Sequence, residues 1–240
     1  MSSSVNSFNP YAHVHDNPQR PGDQRSTAPQ VVRDNDRIGV FTDKVVLVMG
    51  VTSGISMETA AKGLHATGTH VYITARNKEK AKKTVEYIMN ISERKGRVDV
   101  IEMVMDSLES VKSTAKDFLG KSGKLNILVN NGGMYHGGPE SGSKDGFEMQ
   151  FAVNHLAHFA LTALLLTKSS NSQFNSRVVF VSSSSHRHSS TTNHIDRLYR
   201  NQSVHALSLN PGGVWSELQK VATPEQIKVW KEDKAIGLLM

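Results

Sequence analysis

A glycine-rich turn, Gly50-Val51-Thr52-Ser53-Gly54-Ile55, stands between the apolar run Val45 to Val48 and a stretch carrying Met57, Ala60, Ala61 and Leu64 at helical spacing. Glycine lets the backbone turn sharply and come close to a pyrophosphate. The helix behind it offers unpaired N–H groups and the positive end of its dipole. Strand, glycine turn and helix in that order predict a dinucleotide site held by Gly50, Thr52, Ser53, Gly54 and Ile55. A second chemical residue is Arg76, which ends the strand-like Val71-Tyr72-Ile73-Thr74-Ala75. It lies about twenty residues past the loop, where an acidic side chain would bind a ribose 2′-hydroxyl. An arginine there suits the 2′-phosphate of NADP, and a solvated cation at a strand end is the plain alternative. Taken with the loop, it puts NADP ahead of NAD.

Other reactive side chains lead less far. His186, His188 and His194 lie in and beside a polar stretch and read as a polar loop rather than as metal ligands, so no metal is expected. Ser183 near His186 has no glycine elbow and no assigned acid, which argues against a hydrolase. The chain has no cysteine, so disulfides, a thiolate nucleophile and a cysteine zinc site are excluded.

These residues need a scaffold, and the pattern supplies one. Lys78 to Asn90 reads as a helix, Val98 to Val104 as a strand, Leu108 to Leu119 as a helix and Leu125 to Val129 as a strand. Phe147 to Thr167 reads as a long apolar helix, and Arg177 to Ser183 and Val204 to Leu209 as strands. This alternation predicts an α/β fold, a Rossmann-like doubly wound parallel sheet in strand order 3-2-1-4-5-6. A length of 240 residues suits a single domain. Residues 1–40, rich in Ser, Asn, Asp, Gln, Arg and Pro, read as a disordered or loosely packed arm, with the domain over 41–240. The formal charge of +6 is spread over solvated helix faces such as Lys78 to Lys83, without the arginine–aromatic interleaving of a nucleic-acid binder. No nucleic-acid partner is expected. The apolar stretch Phe159 to Leu166 is shorter than the ~20 residues of a membrane span, and the amino terminus shows no apolar signal core, so a cytoplasmic protein is expected.

Several motifs, in order, resemble the short-chain dehydrogenase/reductase family, in its retinol-dehydrogenase-like and WW-domain-oxidoreductase-like branch, from about Asp43 to Leu218. Met49-Gly50-Val51-Thr52-Ser53-Gly54-Ile55-Ser56 stands for the family's Thr-Gly-x-x-x-Gly-Ile-Gly, and Asn130-Asn131-Gly132-Gly133 for its Asn-Asn-Ala-Gly. The resemblance implies an NADP-dependent alcohol or carbonyl oxidoreductase acting on a small lipid-like or secondary-metabolite substrate. It implies that Asp106 contacts the adenine and that Asn131 and Gly132 form a turn beside the cofactor. It also assigns catalytic roles to Asn154 in Phe151-Ala152-Val153-Asn154-His155 and to Ser183 after Val178-Val179-Phe180-Val181-Ser182. Val214 and Ser216, in Asn210-Pro211-Gly212-Gly213-Val214-Trp215-Ser216, fall in the segment that lies along the nicotinamide.

The family's Tyr-x-x-x-Lys is missing. Tyr11, Tyr72, Tyr87, Tyr135 and Tyr199 are followed four places on by His15, Arg76, Ile91, Pro139 and Ser203. By the resemblance, a segment of about thirty residues between Ser190 and Thr191 is deleted, the carboxyl-terminal side is short, and Tyr199 ends the crossover helix away from the cofactor. A catalytically silent NADP-binding protein or a truncated product is the alternative reading. Ser56 in place of the third loop glycine is expected to disturb helix-to-strand packing. A homodimer through the helix bearing Asn154 is expected to be compromised, because half of the family's interface goes with the missing segment.

Overall fold

A computed structural model describes residues 10–17, 19, 22–51, 54–91, 96–135, 141–169, 176–182, 190–209, 211 and 223–232. Among the described residues six parallel strands form one sheet: β1 (Val45–Val48), β2 (His70–Ala75), β3 (Val98–Glu102), β4 (Ile127–Asn130), β5 (Ser176–Val181) and β6 (Val204–Leu209). Their order is β3-β2-β1-β4-β5-β6, as the alternation predicts. The chain winds outward from β1 in one direction and from β4 in the other, which opens a crevice at the carboxyl ends of these two neighbours.

The sheet is covered on two sides because β1 is apolar at every position. Val45, Leu47 and Met49 point into a core with Tyr72, Ile101 and Leu128. That core is closed by Phe118 of α4 (Leu108–Lys121), Leu161 and Leu165 of α6 (Ala157–Ser169) and Ile195 of α7 (Ser190–Tyr199). Val46 and Val48 point the other way with Val71 and Ile73, against Met57 and Val85. Met57 belongs to α2 (Gly54–Glu58), which continues as a wide π turn (Thr59–Leu64), and Val85 to α3 (Lys78–Ile91). The Tyr72 and Phe118 rings meet edge-on, with centroids 5.2 Å apart. Each such fully buried side chain contributes roughly 1.5–3 kcal/mol.

Boundaries differ from the sequence reading where side chains capture backbone groups. β3 stops at Glu102 because the Val104 N–H donates to Ser110 Oγ in the first turn of α4 (2.9 Å). β4 starts at Ile127 because Asn126 is tied sideways to β1, its Oδ1 accepting from the Val45 N–H (2.9 Å). The helix expected from Phe147 begins as α5 (Met149–Phe151), since the Glu148 carboxylate accepts from the Gln150 and Phe151 N–H groups (2.8 and 2.6 Å). It then passes through a π turn (Ala152–Leu156) into α6. The stretch Met149–Leu166 is long and apolar enough to cross a membrane by length and composition, unlike the shorter run read from the sequence. In this fold its Ala157, Leu161 and Leu165 lie in the domain core.

Within residues 1–40, α1 (Ala28–Asp34) starts on Thr27, whose Oγ1 accepts from the Gln30 N–H, with Pro29 in the first turn. It lies beside Gly63, where an added Cβ would come 3.1 Å from Ala28 Cβ. Beyond it, the Gly39 and Phe41 N–H groups donate to the Ala66 and Thr67 carbonyls (3.0 and 2.8 Å), so this part of the arm is packed onto the domain.

Candidate nucleotide and active site

The carboxyl ends of β1 and β4 bring two of the predicted residues, Gly50 and Gly132, together. Gly50 and Gly54 have φ of 69° and 72°, a conformation that favours glycine. The Gly50 N–H donates to Thr74 Oγ1 of β2 (3.3 Å). A Cβ built on Gly50 would lie 2.5 Å from Gly132 Cα, and one built on Gly132 would lie 3.3 Å from Gly50 Cα and 2.7 Å from Met105 Sδ. The β1 loop and the β4 turn are therefore in backbone contact, and any side chain would force them apart. Ile55 is half-buried at the start of α2; Thr52 and Ser53 lie outside the described residues.

Ser56 corrects the sequence reading. It is buried rather than misfitting, and its hydroxyl donates to the Gly50 carbonyl (2.7 Å), so the helix packs closely with a hydroxyl in the glycine's place. Arg76, directly after β2, is exposed and has no ion-pair partner among the described residues; the nearby Lys78 is paired with Glu102 (2.8 Å). Asp106 is half-buried in the turn after β3, its carbonyl accepting from the Lys144 N–H (3.0 Å). Asn131 and Gly132 follow β4 directly.

Asn154 sits in the π turn, a helix irregularity that recurs at functional sites. Its Oδ1 accepts from the Met134 N–H and its Nδ2 donates to the Met134 carbonyl, both at 2.8 Å. Both ends of the amide are thus spent on the loop after β4, next to Gly133. Beyond that clamp the Tyr135 hydroxyl accepts from Gln226 Nε2 of α8 (Pro224–Glu232) at 2.9 Å. β5 runs to Val181, and the Ser182 N–H still donates to the Leu209 carbonyl (2.8 Å). Ser183, Val214 and Ser216 lie outside the described residues, as do His186 and His188. Tyr199 ends α7, packs on the core and leads through a tight turn (Arg200–Gln202) to the amino end of β6. That is the sheet edge opposite Gly50. Asp196 on the same helix accepts from the Ala206 N–H (3.2 Å) and pairs with Arg200, whose hydrogen bond holds the carboxyl below its ordinary pKa.

His158 was not singled out in the sequence. It is buried, its imidazole hydrogen-bonds the backbone of Gly132, and burial pushes its pKa down to about 4, so the ring is neutral. The only sequence trace of it is its place one turn after Asn154.

The description of short-chain dehydrogenases matches residues 44–195. The chain belongs to the short-chain dehydrogenase family. It is similar to the short-chain dehydrogenase/reductase prx1 of Penicillium roqueforti, with 38% identity covering 96% of this chain and 75% of that one. That alignment runs over 260 positions, more than the 240 residues of this chain, so the relative carries a stretch with no counterpart here. The human WW domain-containing oxidoreductase is 36% identical over 77% of this chain and 44% of its own length. Among solved structures, the Pseudomonas aeruginosa RhlG/NADP active-site complex superposes with a TM-score of 0.66 at 20% identity, covering 80% of this chain and 82% of that one. At that identity the likeness speaks for the fold.

The family implies a nicotinamide dinucleotide, and the glycine contact fits one. Gly50 and Gly132 leave a cradle at the carboxyl edge that a Cβ on either would fill, beside the positive-φ start of α2.

Proposed function

We propose that this member of the short-chain dehydrogenase family binds NADP(H) across the carboxyl ends of β1, β2 and β4, and that its ancestral reaction is alcohol–carbonyl interconversion on a small lipid-like or secondary-metabolite molecule. The observation that carries the reading is the glycine cradle at Gly50 and Gly132, with Arg76 exposed at the end of the neighbouring strand and without an ion-pair partner among the described residues. Gly50, Gly54 and Ile55, together with Thr52 and Ser53, would hold the pyrophosphate, Asp106 the adenine, and Arg76 the 2′-phosphate through charge-assisted hydrogen bonds. Asn131 and Gly132 would wall the same groove, with Val214 and Ser216 beside the nicotinamide. Bound there, the dinucleotide supplies or accepts a hydride at the substrate carbon. In this reading Ser183 donates a hydrogen bond to the substrate oxygen as charge develops on it, and Asn154 fixes the loop that borders the substrate.

The second reading, an NADP-binding protein with little or no turnover, is favoured by one observation. No tyrosine is followed four places on by lysine, and Tyr199 ends a helix at the far sheet edge. In this reading the pair is lost with the stretch that the Penicillium relative carries and this chain lacks. A positioned acid contributes ~10²–10⁴ in rate, so turnover with test aldehydes should fall short of a complete relative by about that factor. Two measurements decide. Calorimetry should show NADPH tighter than NADH, with Arg76→Ala removing the difference; equal affinities would remove NADP from the reading. Ordinary turnover abolished by Tyr199→Phe would reinstate a full enzyme. A cytoplasmic location belongs to the same reading, and a tagged full chain followed in its own cells tests it.

A further inference from the structure

We propose that Ser56 and His158 form a two-point lock that presets the nucleotide cradle, each holding one of the two carbonyls behind the Gly50–Gly132 contact. The inference rests on the cofactor reading above and concerns two residues outside the loop's own glycines. Ser56 donates to the Gly50 carbonyl across six residues of chain (2.7 Å), which fixes the left-handed backbone of Gly50 from the helix side. His158 holds the backbone of Gly132 by a hydrogen bond from the opposite side of the sheet. Between them the two glycine backbones touch, with no side chain in the gap to act as a spacer. Displacement of either carbonyl therefore moves both walls of the cradle.

The chemistry of His158 argues against a bland core role. A neutral imidazole has one N–H to give, and it goes to Gly132; Nε2 is buried with no partner among the described residues. Burying an unpaired ring nitrogen costs stability, and an apolar side chain would fill the same space without that cost. What an apolar side chain cannot do is hold the Gly132 carbonyl. Ser56 presents the same case in small: it stands where the family has glycine, and the hydroxyl spans the loop. The two positioning residues also differ from Asn154, which grips the loop further on, at Met134.

The test uses the full chain with and without NADPH. In the cofactor-free protein, Ser56→Ala and His158→Leu should each speed amide hydrogen exchange at Gly50 and at Asn131 to Met134 by about tenfold, while Val98–Glu102 keeps its rate. Each should weaken NADPH binding by about three- to tenfold, the range a single hydrogen bond spans. His158→Asn, which can place an amide N–H where Nδ1 stood, should restore most of both. Leu165→Ala serves as the control: a core change that lowers the melting temperature and leaves exchange at the cradle and NADPH affinity as they were. Unchanged exchange at the cradle in both lock variants overturns the proposal. So does a loss of NADPH affinity in the control as large as in the variants. Loosening of the cradle in the variants, together with no NADPH binding by the unaltered chain, supports the lock and overturns the cofactor reading instead.

Discussion

β1 and β6 belong to one parallel sheet, yet they live in different surroundings. All four residues of β1 are buried, because the π-continued helix α2, α3, α4 and α6 close both faces of the sheet around it. β6 is the edge strand among the described residues; Val204 and Ala206 are buried, whereas Leu207 and Leu209 are 50% and 43% exposed. The half of the sheet centred on β1 carries the glycine cradle, held in the proposed lock by Ser56 of α2 on one side and His158 of α6 on the other. The other half, ending at β6, leaves the apolar Leu207 and Leu209 on a face that no described residue covers fully. Stability and cofactor binding should therefore be governed by the first half.

The sharpest way to break this contrast is to cut the first half's core. Leu47→Ala should cost about 2–5 kcal/mol in urea unfolding, since its side chain is fully enclosed and the neighbours cannot collapse into the hole. A cost below 1 kcal/mol would mean that the half around β1 is not the stable one. Next comes acid. His158 has a pKa of about 4 in the fold against 6.5 for a free imidazole, so between those values the unfolded chain takes up a proton that the folded one refuses. Stability should be full above pH 6.5 and fall by roughly 3 kcal/mol as the pH drops to 4. His158→Gln should flatten that part of the profile, and an unchanged slope would refute the assignment.

A smaller effect is expected at His65, which is fully buried with both ring nitrogens unpartnered among the described residues. His65→Leu should leave stability unchanged or raise it by about 1 kcal/mol, because a desolvated polar group is removed. A marked loss would show that the ring has a hidden partner, such as a bound water. The least should come from β6: Leu207→Ser should move the unfolding midpoint by less than about 0.5 kcal/mol. If it costs as much as Leu47→Ala, the open face is covered in solution and the contrast between the halves fails.

The fold was largely legible because strands buried on both faces leave an unmistakable trace. Val45 to Val48 and Val71 to Ala75 read as apolar runs, and the order of elements then allowed one winding. β6 has the bounds read for it, Val204 to Leu209, and the structure shows Ser203 in a left-handed turn just before it. The cradle was legible at Gly50, Gly54 and Gly132, where backbone conformation or contact demands glycine. What escaped was decided by side chains reaching across long gaps in sequence. The role of Ser56 depends on where Gly50 turns its carbonyl, and that of His158 on a strand-end turn twenty-six residues earlier; neither has a local pattern. Asn154 was marked for catalysis by resemblance, but the hydrogen bonds that occupy its amide show only in three dimensions.

The wide turn at Ala152–Leu156 acts as a phase shift in the helix that carries it. Buried residues come in adjacent pairs along this helix: Ala152 and Val153, Ala157 and His158, Leu161 and Thr162, Leu165 and Leu166. The step between pairs is five across the wide turn and four beyond it. A regular helix of 3.6 residues per turn would carry a five-residue step well past the buried side, whereas a turn closed by i→i+5 bonds takes up the surplus residue and returns the next pair to it. The surplus lets Asn154 reach out to Met134 while His158, four residues on, still faces inward under Gly132. Deleting one residue there would repair the helix and swing one of these two side chains off its target, so the irregularity is the cost of serving two addresses from a single rod.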